Sequence, residues 1–282
     1  MKIHHHICQR PNVGDDINLW FWKWWLGDVL AYQPETLLVG IGTVLNDKLP
    51  HAERYLVIGS GAGYGNITID NRWQVACVRG PLTAKILGLS KTLSITDPGA
   101  LIPLIKKPDE LPSARSGIAF MPHIGIDSPN YRDLVESLGW RYISPSDDQN
   151  TLFSAIAGAD RLITSSLHGA IFADAYRTPW LGVSTSPEIL PFKWQDWGLS
   201  LSLDISLTSL PPLWPGEVDG IRSFASHTIK RHLLRQQLRK LAIKGRFSLS
   251  TDSVLRAKQD ALQHCLAFTR EQLIQEAMCE QH

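Results

Sequence analysis

The stretch from Leu162 to Val183, which reads LITSSLHGAIFADAYRTPWLGV, decides the fold class of this 282-residue chain. An apolar run leads into two serines and a lone histidine, and a row of small residues follows. This order is typical of a strand, a short loop and a helix. Because serine is a preferred N-cap residue, Ser165 or Ser166 is expected to begin the helix, with His168 in its first turn. Gly169 would let this helix approach its sheet closely.

The same strand, loop and helix unit recurs along the chain. Strands are predicted at Thr36–Val39, Tyr55–Ile58 and Gln74–Val78, each followed by turn residues. Three more units of this kind are SGIAFMPHIG, GWRYISPS and ADRLITSS. Alternation of strands with helical patterns such as YRDLVESLG predicts an α/β fold with parallel sheets and helices on both faces.

The proline-rich segment Leu101–Gly117 interrupts this rhythm and is interpreted as a linker between domains. We therefore expect a first Rossmann-like domain at residues 1–108 and a second at 109–205, facing each other across a cleft. Residues 206–282 are expected to form a proline-rich connector and a helical C-terminal tail. Open α/β sheets bind ligands at the carboxyl ends of their strands, where the loops of these units lie.

Composition and charge restrict the classes of partner. A formal net charge of +1 gives no global preference for a polyanion, so no nucleic acid partner is expected. The four cysteines form no CxxC pair, which argues against a zinc site or a disulfide framework. Neither a signal peptide nor a membrane span is recognisable, so the expected location is cytoplasmic. In an alternating strand His5 would face away from His4 and His6, so no metal site is expected there.

The predicted tail contains a basic amphipathic helix. Its apolar face would carry Ile229, Leu233, Leu234, Leu238 and Leu241. Its basic face would carry Lys230, Arg231, Arg235, Arg239, Lys240, Lys244 and Arg246. Two interpretations stay open: a solvated face of a helix packed on the body, or a peripheral contact with an anionic membrane surface or lipid-linked substrate.

The first candidate site lies near the N-terminus. Asn12 and Gly14 supply turn chemistry, and Asp15 and Asp16 stand before an aromatic-rich helix. Acidic residues there can cap free N–H groups. The alternative is that one of them, Asp15 by preference, faces the cleft as a proton acceptor.

The glycine-rich stretch GSGAGYG follows a strand but does not fit a dinucleotide site. Its glycines alternate, and the NITIDN that follows is not the helix that should receive a pyrophosphate. We interpret it as a flexible wall of the cleft. Gly42, at the end of another strand, is expected to contact substrate at the same edge. The same is expected of Asn12, Gly14, Ser165, Ser166 and Gly169.

Three further residues stand at the ends of strands. Arg79 is followed by a predicted helix, and a guanidinium beside free helix N–H groups suits a phosphate or carboxylate, although a surface ion pair is the alternative. His123 and His168 end two strands of the second domain, where they are candidates for acid–base work. Asp97, before a proline, is expected to fix a turn or cap a helix.

Taken together, these motifs resemble the polysaccharide pyruvyl transferase family, in its succinoglycan-type branch. They are PNVGDDIN, VGIGTVLND, GSGAGYG, VRGPLTAKILGL, ITDPGALI, PHIG, SSLHGAIFADAYRTPW and FKWQDW. They cover roughly residues 1–200. The resemblance implies a glycosyltransferase-B-like pair of domains, phosphoenolpyruvate as donor, and a pyruvate ketal on a sugar of a bacterial surface polysaccharide. No metal or other cofactor is implied.

The resemblance also assigns roles. Arg79 matches the family's anion-binding arginine and His168 its essential histidine. Many members have arginine two positions before that histidine, where this chain has Ser166. A second cationic contact with the donor must then come from Lys193, Arg177 or His123, or the activity is altered. His168 would act as acid or phosphate partner, and Asp15 or His123 would deprotonate the acceptor hydroxyl.

Two rival functions stay open at this stage. A nucleotide-sugar-dependent glycosyltransferase would need an acidic residue for a ribose, which Glu188 offers. A non-catalytic member would only bind glycans or scaffold a complex. Most tryptophans are expected in the core, and one or two at the cleft could stack on a sugar.

Overall fold

The fold is described from a computed structural model. It describes residues 1–107, 115–186, 189–213 and 221–279, with the side chains of 221–227 left out. Part of the predicted linker, part of the proline-rich connector, and Glu188 lie outside the described residues.

The first sheet contains four parallel strands in the order β1-β2-β3-β4. They are β1 (Lys2–His4), β2 (Thr36–Val39), β3 (Arg54–Ser60) and β4 (Trp73–Val78). All residues of β2 are buried, as are all but the first of β3. Strands buried on both faces read as continuous apolar runs, which is why the sequence marked them clearly.

Short helices connect these strands. They are α1 (Val13–Asp16), α2 (Asn18–Leu26), α3 (Pro81–Ile86) and α4 (Ile102–Ile105), with 3₁₀ turns at Gly27–Ala31, Lys91–Leu93 and Pro98–Leu101. Asp97 caps the last of these turns, since its side chain accepts a hydrogen bond of 2.9 Å from the N–H of Gly99. Its predicted capping role is confirmed.

The second sheet contains five parallel strands in the order β6-β5-β7-β8-β9. They are β5 (Ile118–Met121), β6 (Arg141–Tyr142), β7 (Arg161–Thr164), β8 (Trp180–Ser184) and β9 (Thr208–Ser209). The chain leaves β5 toward one edge and returns to β7 on the other side. Loops after β5 and β7 therefore diverge at a topological switch point, the place where open α/β sheets form ligand crevices.

Four helices accompany the second sheet. They are α5 (Pro129–Glu136), α6 (Gln149–Ala157), α7 (Leu167–Ala175) and α8 (Pro191–Ser200), with a 3₁₀ turn at Ile124–Ile126. The α7 helix is the one predicted from the opening stretch. Ala170 and Ala173 of α7 are fully buried, and a Cβ at Gly169 would lie 2.6 Å from Thr164 Oγ1. The small residues thus bring α7 close to its sheet.

The C-terminal residues form two long helices, α9 (Ile221–Lys244) and α10 (Asp252–Cys279). Leu234 and Leu238 of α9 pack into a core cluster with residues of the second sheet. Leu262 and Leu266 of α10 instead join a cluster with α2. The predicted tail therefore packs on both units, while the division at residues 108 and 205 stays a prediction.

The largest core cluster joins the two sheets. It contains Trp22 and Ile58 from the first unit, Ala119 and Met121 from the second, and Leu266 of α10. Four tryptophans are almost fully buried, namely Trp22, Trp180, Trp194 and Trp197. Four others, Trp20, Trp25, Trp73 and Trp140, are only partly buried against core clusters, and Trp24 is 63% exposed. Of the nine tryptophans in the described residues, fewer than half are therefore fully in the core.

Two parallel sheets with flanking helices and a helical C-terminus confirm the predicted fold class. Within the described residues, no helix is both long enough and apolar enough to cross a membrane.

Candidate functional site

A cavity of about 570 Å³ opens between the carboxyl ends of the two sheets. Its walls combine loops after β1, β2 and β3 with loops after β5 and β7 and the start of α8. Eight of the residues predicted for the site line it: Asn12, Asp15, Gly42, Arg79, His123, Ser166, His168 and Lys193. The sequence therefore identified residues that come together from both units.

His168 lies in the first turn of α7, at the switch point of the second sheet. Its ring stacks on Phe172, with centroids 5.8 Å apart and planes tilted by 15°. On its other side the chain passes at Gly14, where a Cβ would lie 2.1 Å from His168 Nδ1. Glycine at position 14 is thus needed for space, and the two contacts fix the ring. Gly14 supports the histidine from behind rather than lining the cavity.

The imidazole of His168 is neutral in this environment. Burial and, to a smaller extent, the positive charges of Lys193 and Arg79 lower the pKa of His168 to about 3. An anion bound beside these cations would reverse their effect and favour the imidazolium. The histidine can therefore take up a proton when an anionic ligand arrives.

Asp15 lies in α1 with its carboxylate directed into the cavity. Its Oδ2 accepts a hydrogen bond of 2.6 Å from Asn12 Nδ2. Burial raises the pKa of Asp15 to about 6, although the hydrogen bond from Asn12 opposes the shift. Asp16 instead accepts from the N–H of Asn12, at 2.8 Å, and is the capping residue of the pair. Asp15 therefore faces the cavity as predicted, while its role as a proton acceptor stays a prediction.

His123 follows β5, and its position depends on the neighbouring loop. The N–H of His123 donates a hydrogen bond of 2.8 Å to Ser165 Oγ, which ties together the loops after β5 and β7. Its Nδ1 accepts from the N–H of Gly125 at 3.2 Å. Burial lowers the pKa of His123 to about 4, so the ring is neutral and carries its proton on Nε2.

Lys193 supplies the cation of the cavity. It lies on α8 and is 9% exposed. Its Nζ donates a hydrogen bond of 3.2 Å to Tyr64 Oη, and within the described parts of the chain it forms no ion pair. A buried ammonium without a carboxylate partner is costly in the free protein and suited to an anionic ligand.

Arg177 was the other candidate for a second cation, and the structure contradicts this. Its guanidinium forms ion pairs with Asp174, at 3.5 Å, and Asp252, at 2.9 Å, and also bonds to Ser250. These contacts join α7 to the start of α10, outside the cavity. Lys193 and His123 remain the candidates to replace the family arginine at Ser166.

Arg79 follows β4 and lines the cavity, but it is completely buried. Its Nε donates to Asp196 Oδ2 at 3.2 Å, and its Nη1 donates to Thr43 Oγ1 at 2.7 Å. A Cβ at Gly61 would lie 2.1 Å from Arg79 Cζ. Gly61, in the glycine-rich loop, therefore leaves space for the guanidinium of Arg79. This explains a glycine at that position without a dinucleotide-binding role.

The helix N–H groups expected to bind an anion beside Arg79 are not free. Asp196 of α8 accepts from the N–H groups of Leu82 and Thr83, both at 2.9 Å, and from Thr83 Oγ1 at 2.7 Å. The ion pair of Arg79 with Asp196 is thus buried. The alternative prediction, an ion pair at the surface, is wrong in its location. Nη2 also donates to the carbonyl of Ala62 at 3.3 Å, so each Nη atom has one N–H left for a ligand in the cavity.

The two serines before His168 have different tasks. Ser166 lines the cavity and is the N-cap of α7, with its Oγ accepting from the N–H of Gly169 at 3.3 Å. Ser165 is 1% exposed, and its hydroxyl is used by His123. Ser165 and Gly169, both predicted to bind substrate, therefore lie behind the cavity wall.

Several lining residues were missed or misplaced by the sequence argument. β1 ends at His4, so strand alternation does not apply to His5 and His6, and all three histidines line the cavity. Among the described residues, no three His, Cys, Asp or Glu side chains are grouped to hold a metal ion. Tyr64 also lines the cavity, and none of the tryptophans in the described residues does. The glycine-rich stretch around Tyr64, interpreted from sequence as a wall of the cleft, was the feature that could have identified Tyr64 as a lining residue.

A cleft at the carboxyl ends of two parallel sheets, lined by cations and by groups with shifted pKa values, is typical of enzymes that act on anionic small molecules. Residues 67–187 match the model of the family described as polysaccharide pyruvyl transferase. Over these residues the chain is similar to the polysaccharide pyruvyl transferase family.

A curated relative is the succinoglycan biosynthesis protein ExoV of Rhizobium meliloti (strain 1021). It is 38% identical over 208 residues, which cover 72% of this chain and 66% of the relative. The chain thus matches just under two thirds of the length of ExoV.

Among solved structures, the wall teichoic acid polymerase TagF matches with a TM-score of 0.38 and 11% identity, covering 89% of this chain and 76% of that chain. The calicheamicin glycosyltransferase CalG4 matches with a TM-score of 0.32 and 12% identity, covering 82% of this chain and 55% of that chain. At these TM-scores the likeness carries no argument about function.

Proposed function

We propose that this protein is a transferase that moves the pyruvyl group of phosphoenolpyruvate onto two hydroxyls of a sugar, forming a pyruvate ketal. The observation that carries the proposal is the buried ammonium of Lys193, which forms no ion pair with any described residue, in one cavity with His168 and Asp15. Phosphoenolpyruvate carries a phosphate and a carboxylate, which match such a cationic pocket. The family and the ExoV relative support the general reaction class.

The cations suggest how the donor lies. Lys193 would contact one anionic group of the donor, and the Nη edge of Arg79 the other. Lys193 thereby replaces the arginine that relatives carry at Ser166. With the donor in place, its negative charge offsets the cations that now hold His168 neutral.

The reaction requires one proton at carbon and the loss of two from oxygen. In our proposal His168 delivers a proton to the methylene carbon, and the resulting oxocarbenium-like centre is attacked by the first hydroxyl. The carbon–oxygen bond to phosphate then breaks, and the second hydroxyl closes the ketal. Of the two hydroxyl protons, one replaces the proton given to carbon and the other leaves with phosphate.

Asp15 is the better candidate for the base. Its pKa of about 6 leaves the carboxylate ionised near neutral pH while keeping it basic enough to take a hydroxyl proton. His123 is held differently, because Nδ1 already accepts from Gly125 and Nε2 carries the proton. In this arrangement His123 donates a hydrogen bond to substrate rather than removing a proton.

We further propose that the acceptor is a lipid-linked oligosaccharide and that the protein works at the inner face of the membrane. ExoV is named for succinoglycan biosynthesis, so a surface polysaccharide is the acceptor class that the relatives suggest. Tyr64, at the mouth of the cavity, offers an aromatic face on which a sugar ring can stack.

The test is to incubate the purified protein with phosphoenolpyruvate and oligosaccharides released from succinoglycan-type polysaccharide after removal of their pyruvate. We expect release of inorganic phosphate together with a product heavier by pyruvate less one water. His168→Ala is expected to abolish both signals. Phosphate release without a ketal, or neither signal with any acceptor, would overturn the proposal.

One rival function keeps a specific test. If the protein only binds glycans, His168→Ala would leave glycan binding and the polysaccharide of a complemented mutant strain unchanged. The nucleotide-sugar alternative rested on Glu188, which lies outside the described residues, and a nucleotide sugar in the same assay tests it directly.

A further inference from the structure

Helix α9 is attached to the second unit along one edge. Leu234 and Leu238 are buried in the core, and Arg231 and Arg235 bond to the backbone carbonyls of Asn130, at 3.5 Å, and Ser137, at 3.2 Å. Leu241 also packs against this cluster, and Arg161 donates to the carbonyl of Ala242 at 3.1 Å. The exposed positions among residues 228–244 face away from this attachment.

The outward surface contains exposed aliphatic side chains, of which Ile229 and Leu233 belong to the apolar face that the sequence pattern predicted. Ile229 is 60% exposed, Leu233 45% and Ile243 80%. Positions 229, 233, 236, 240 and 243 are spaced by four, three, four and three residues, so they form one stripe along the helix. We call this stripe and its flanking residues the outward face of α9.

Positive charges flank the aliphatic side chains. Lys230, Arg239, Lys240 and Lys244 are exposed, and residues 221–250 contain no aspartate or glutamate. Within the parts of the chain that the structure describes, no ion pair involves α9. In a chain of net charge +1, this is a strong local concentration of one sign.

We propose that the outward face of α9 binds the surface of a membrane rich in anionic phospholipid, with the helix lying parallel to the bilayer. Its cations would contact headgroup phosphates, and Ile229, Leu233 and Ile243 would enter the boundary between headgroups and acyl chains. A second copy of this chain fits poorly, because it would bring like charges together. A nucleic acid would leave the aliphatic row in water.

Membrane binding by α9 would serve the proposed lipid-linked acceptor, and its functional purpose rests on that proposed function. The observations that support the binding itself come from α9 alone. It would place the cavity near the membrane in which such an acceptor is anchored. Binding to the bilayer needs neither phosphoenolpyruvate nor acceptor, so the two proposals can fail separately.

The experiment is co-sedimentation of the full chain with sucrose-loaded vesicles of phosphatidylcholine alone or mixed with phosphatidylglycerol. We expect binding only to the mixed vesicles and weaker binding at high salt. The variant Lys240→Gln/Ile243→Ser/Lys244→Gln should reduce the partition coefficient roughly thirtyfold or more, about fivefold for each cation and the rest for the aliphatic side chain. The matched control, Lys85→Gln/Ile86→Ser/Lys91→Gln, makes the same changes at exposed positions of the first unit and should bind as wild type.

Three outcomes would overturn the inference. One is equal binding to vesicles with and without phosphatidylglycerol. Another is an equal loss in the α9 variant and its matched control. A third is a dimer in light scattering, without vesicles, that the α9 variant dissociates. Transfer of pyruvate to a free oligosaccharide, measured on the same α9 variant, should be unchanged, which separates membrane binding from catalysis.

Discussion

At the scale of single residues, the cavity combines the buried ammonium of Lys193 with the neutral imidazoles of His123 and His168. It also contains the carboxylate of Asp15, whose pKa is raised. Each group is held by a neighbour: Lys193 by Tyr64, His168 by Phe172, and Asp15 by Asn12. Their charges are coupled, since Lys193 lowers the pKa of His168 and opposes the rise at Asp15. A change at one of them is therefore felt by the others.

Lys193 gives the most direct prediction. Lys193→Met should raise KM for phosphoenolpyruvate by about 10- to 100-fold, because a charge-assisted hydrogen bond to the donor is lost. Steady-state kinetics with varied donor measures this. Lys193→Arg keeps the charge and should retain most of the affinity. An unchanged KM in Lys193→Met would show that the ammonium does not touch the donor.

Asp15 predicts opposite effects on activity and stability. Asp15→Asn should abolish transfer, since no base remains for the acceptor hydroxyl. The pKa of Asp15 is about 6 in the folded protein, above its value in the unfolded chain. The folded state is therefore stabilised by the protonated acid below a pH of about 4, and this contribution to the free energy of unfolding is lost as the pH rises through about 6.

At pH 8 the variant should therefore be more stable than wild type by up to about 3 kcal/mol, and near pH 4 the difference should vanish. Urea unfolding at the two pH values measures it. A stability difference independent of pH would contradict the raised pKa of Asp15. Asp16→Asn is the neighbouring control, because Asp16 caps α1 and does not line the cavity.

Much of this residue-level arrangement could be predicted from sequence, because polar residues after strands meet at one edge of a parallel sheet. Asp15, His123 and His168 were found in this way. The tasks of Ser165 and Gly14 could not be predicted, since one depends on a hydrogen bond between two loops and the other on a contact between the two units. Neither contact leaves a local pattern in the sequence.

At the scale of elements, α8 performs two tasks within one turn. Lys193 faces the cavity, and three residues later Asp196 is buried against the start of α3. Asp196 accepts hydrogen bonds from Arg79, Leu82 and Thr83. The helix therefore fixes the positions of Lys193 and Arg79, the two cations that we propose bind the donor, relative to each other.

This joint role of α8 can be tested through Asp196. Asp196→Asn should destabilise the fold by about 3–5 kcal/mol, because it leaves the guanidinium of Arg79 buried without a counter-ion. Chemical denaturation measures the loss. Adding Arg79→Met to the variant should recover part of the stability, since no uncompensated charge then remains. No recovery in the double variant would mean that Asp196 acts only as the cap of α3.

Strands β2, β3 and β4 were predicted within one or two residues, whereas α8 and β9 were missed. Continuous apolar runs mark the buried strands β2 and β3. The α8 sequence PFKWQDWGLS mixes tryptophans with charged residues, and only tertiary contacts show that both charges are satisfied or shielded. On α9, the sequence pattern predicted a wider apolar face than the one that is buried, because some of the aliphatic residues in that pattern are exposed.

At the scale of the whole molecule, the two sheets share one core with α10. Leu255, Leu262, Leu266 and Leu273 of α10 are buried in the cluster that also holds residues of both sheets. Glu276 near the end of α10 bonds to Gln33 and Arg54 of the first unit. Heating should therefore unfold both units in a single transition.

Leu266→Ala should shift that single transition downward and cost about 2–5 kcal/mol. Differential scanning calorimetry measures the shift. Phe268→Ala, two residues along the same helix and 61% exposed, is the matched control and should have little effect. Two separate transitions in wild type would show instead that the predicted domains fold independently. The sequence could not predict this coupling, because the apolar residues of α10 do not reveal which sheet they contact.

The buried pair of Arg79 and Asp196 also bears on how substrates come and go. Because the pair joins the loop after β4 to α8, separating the two sheets would strip a guanidinium of its counter-ion inside the protein, at a cost of several kcal/mol. Hinge opening is thus a slow route. Rotation of exposed side chains at the rim, such as Tyr64 and Lys48, breaks no buried charge pair. Turnover would then depend on the mobility of that rim rather than on the two sheets moving apart.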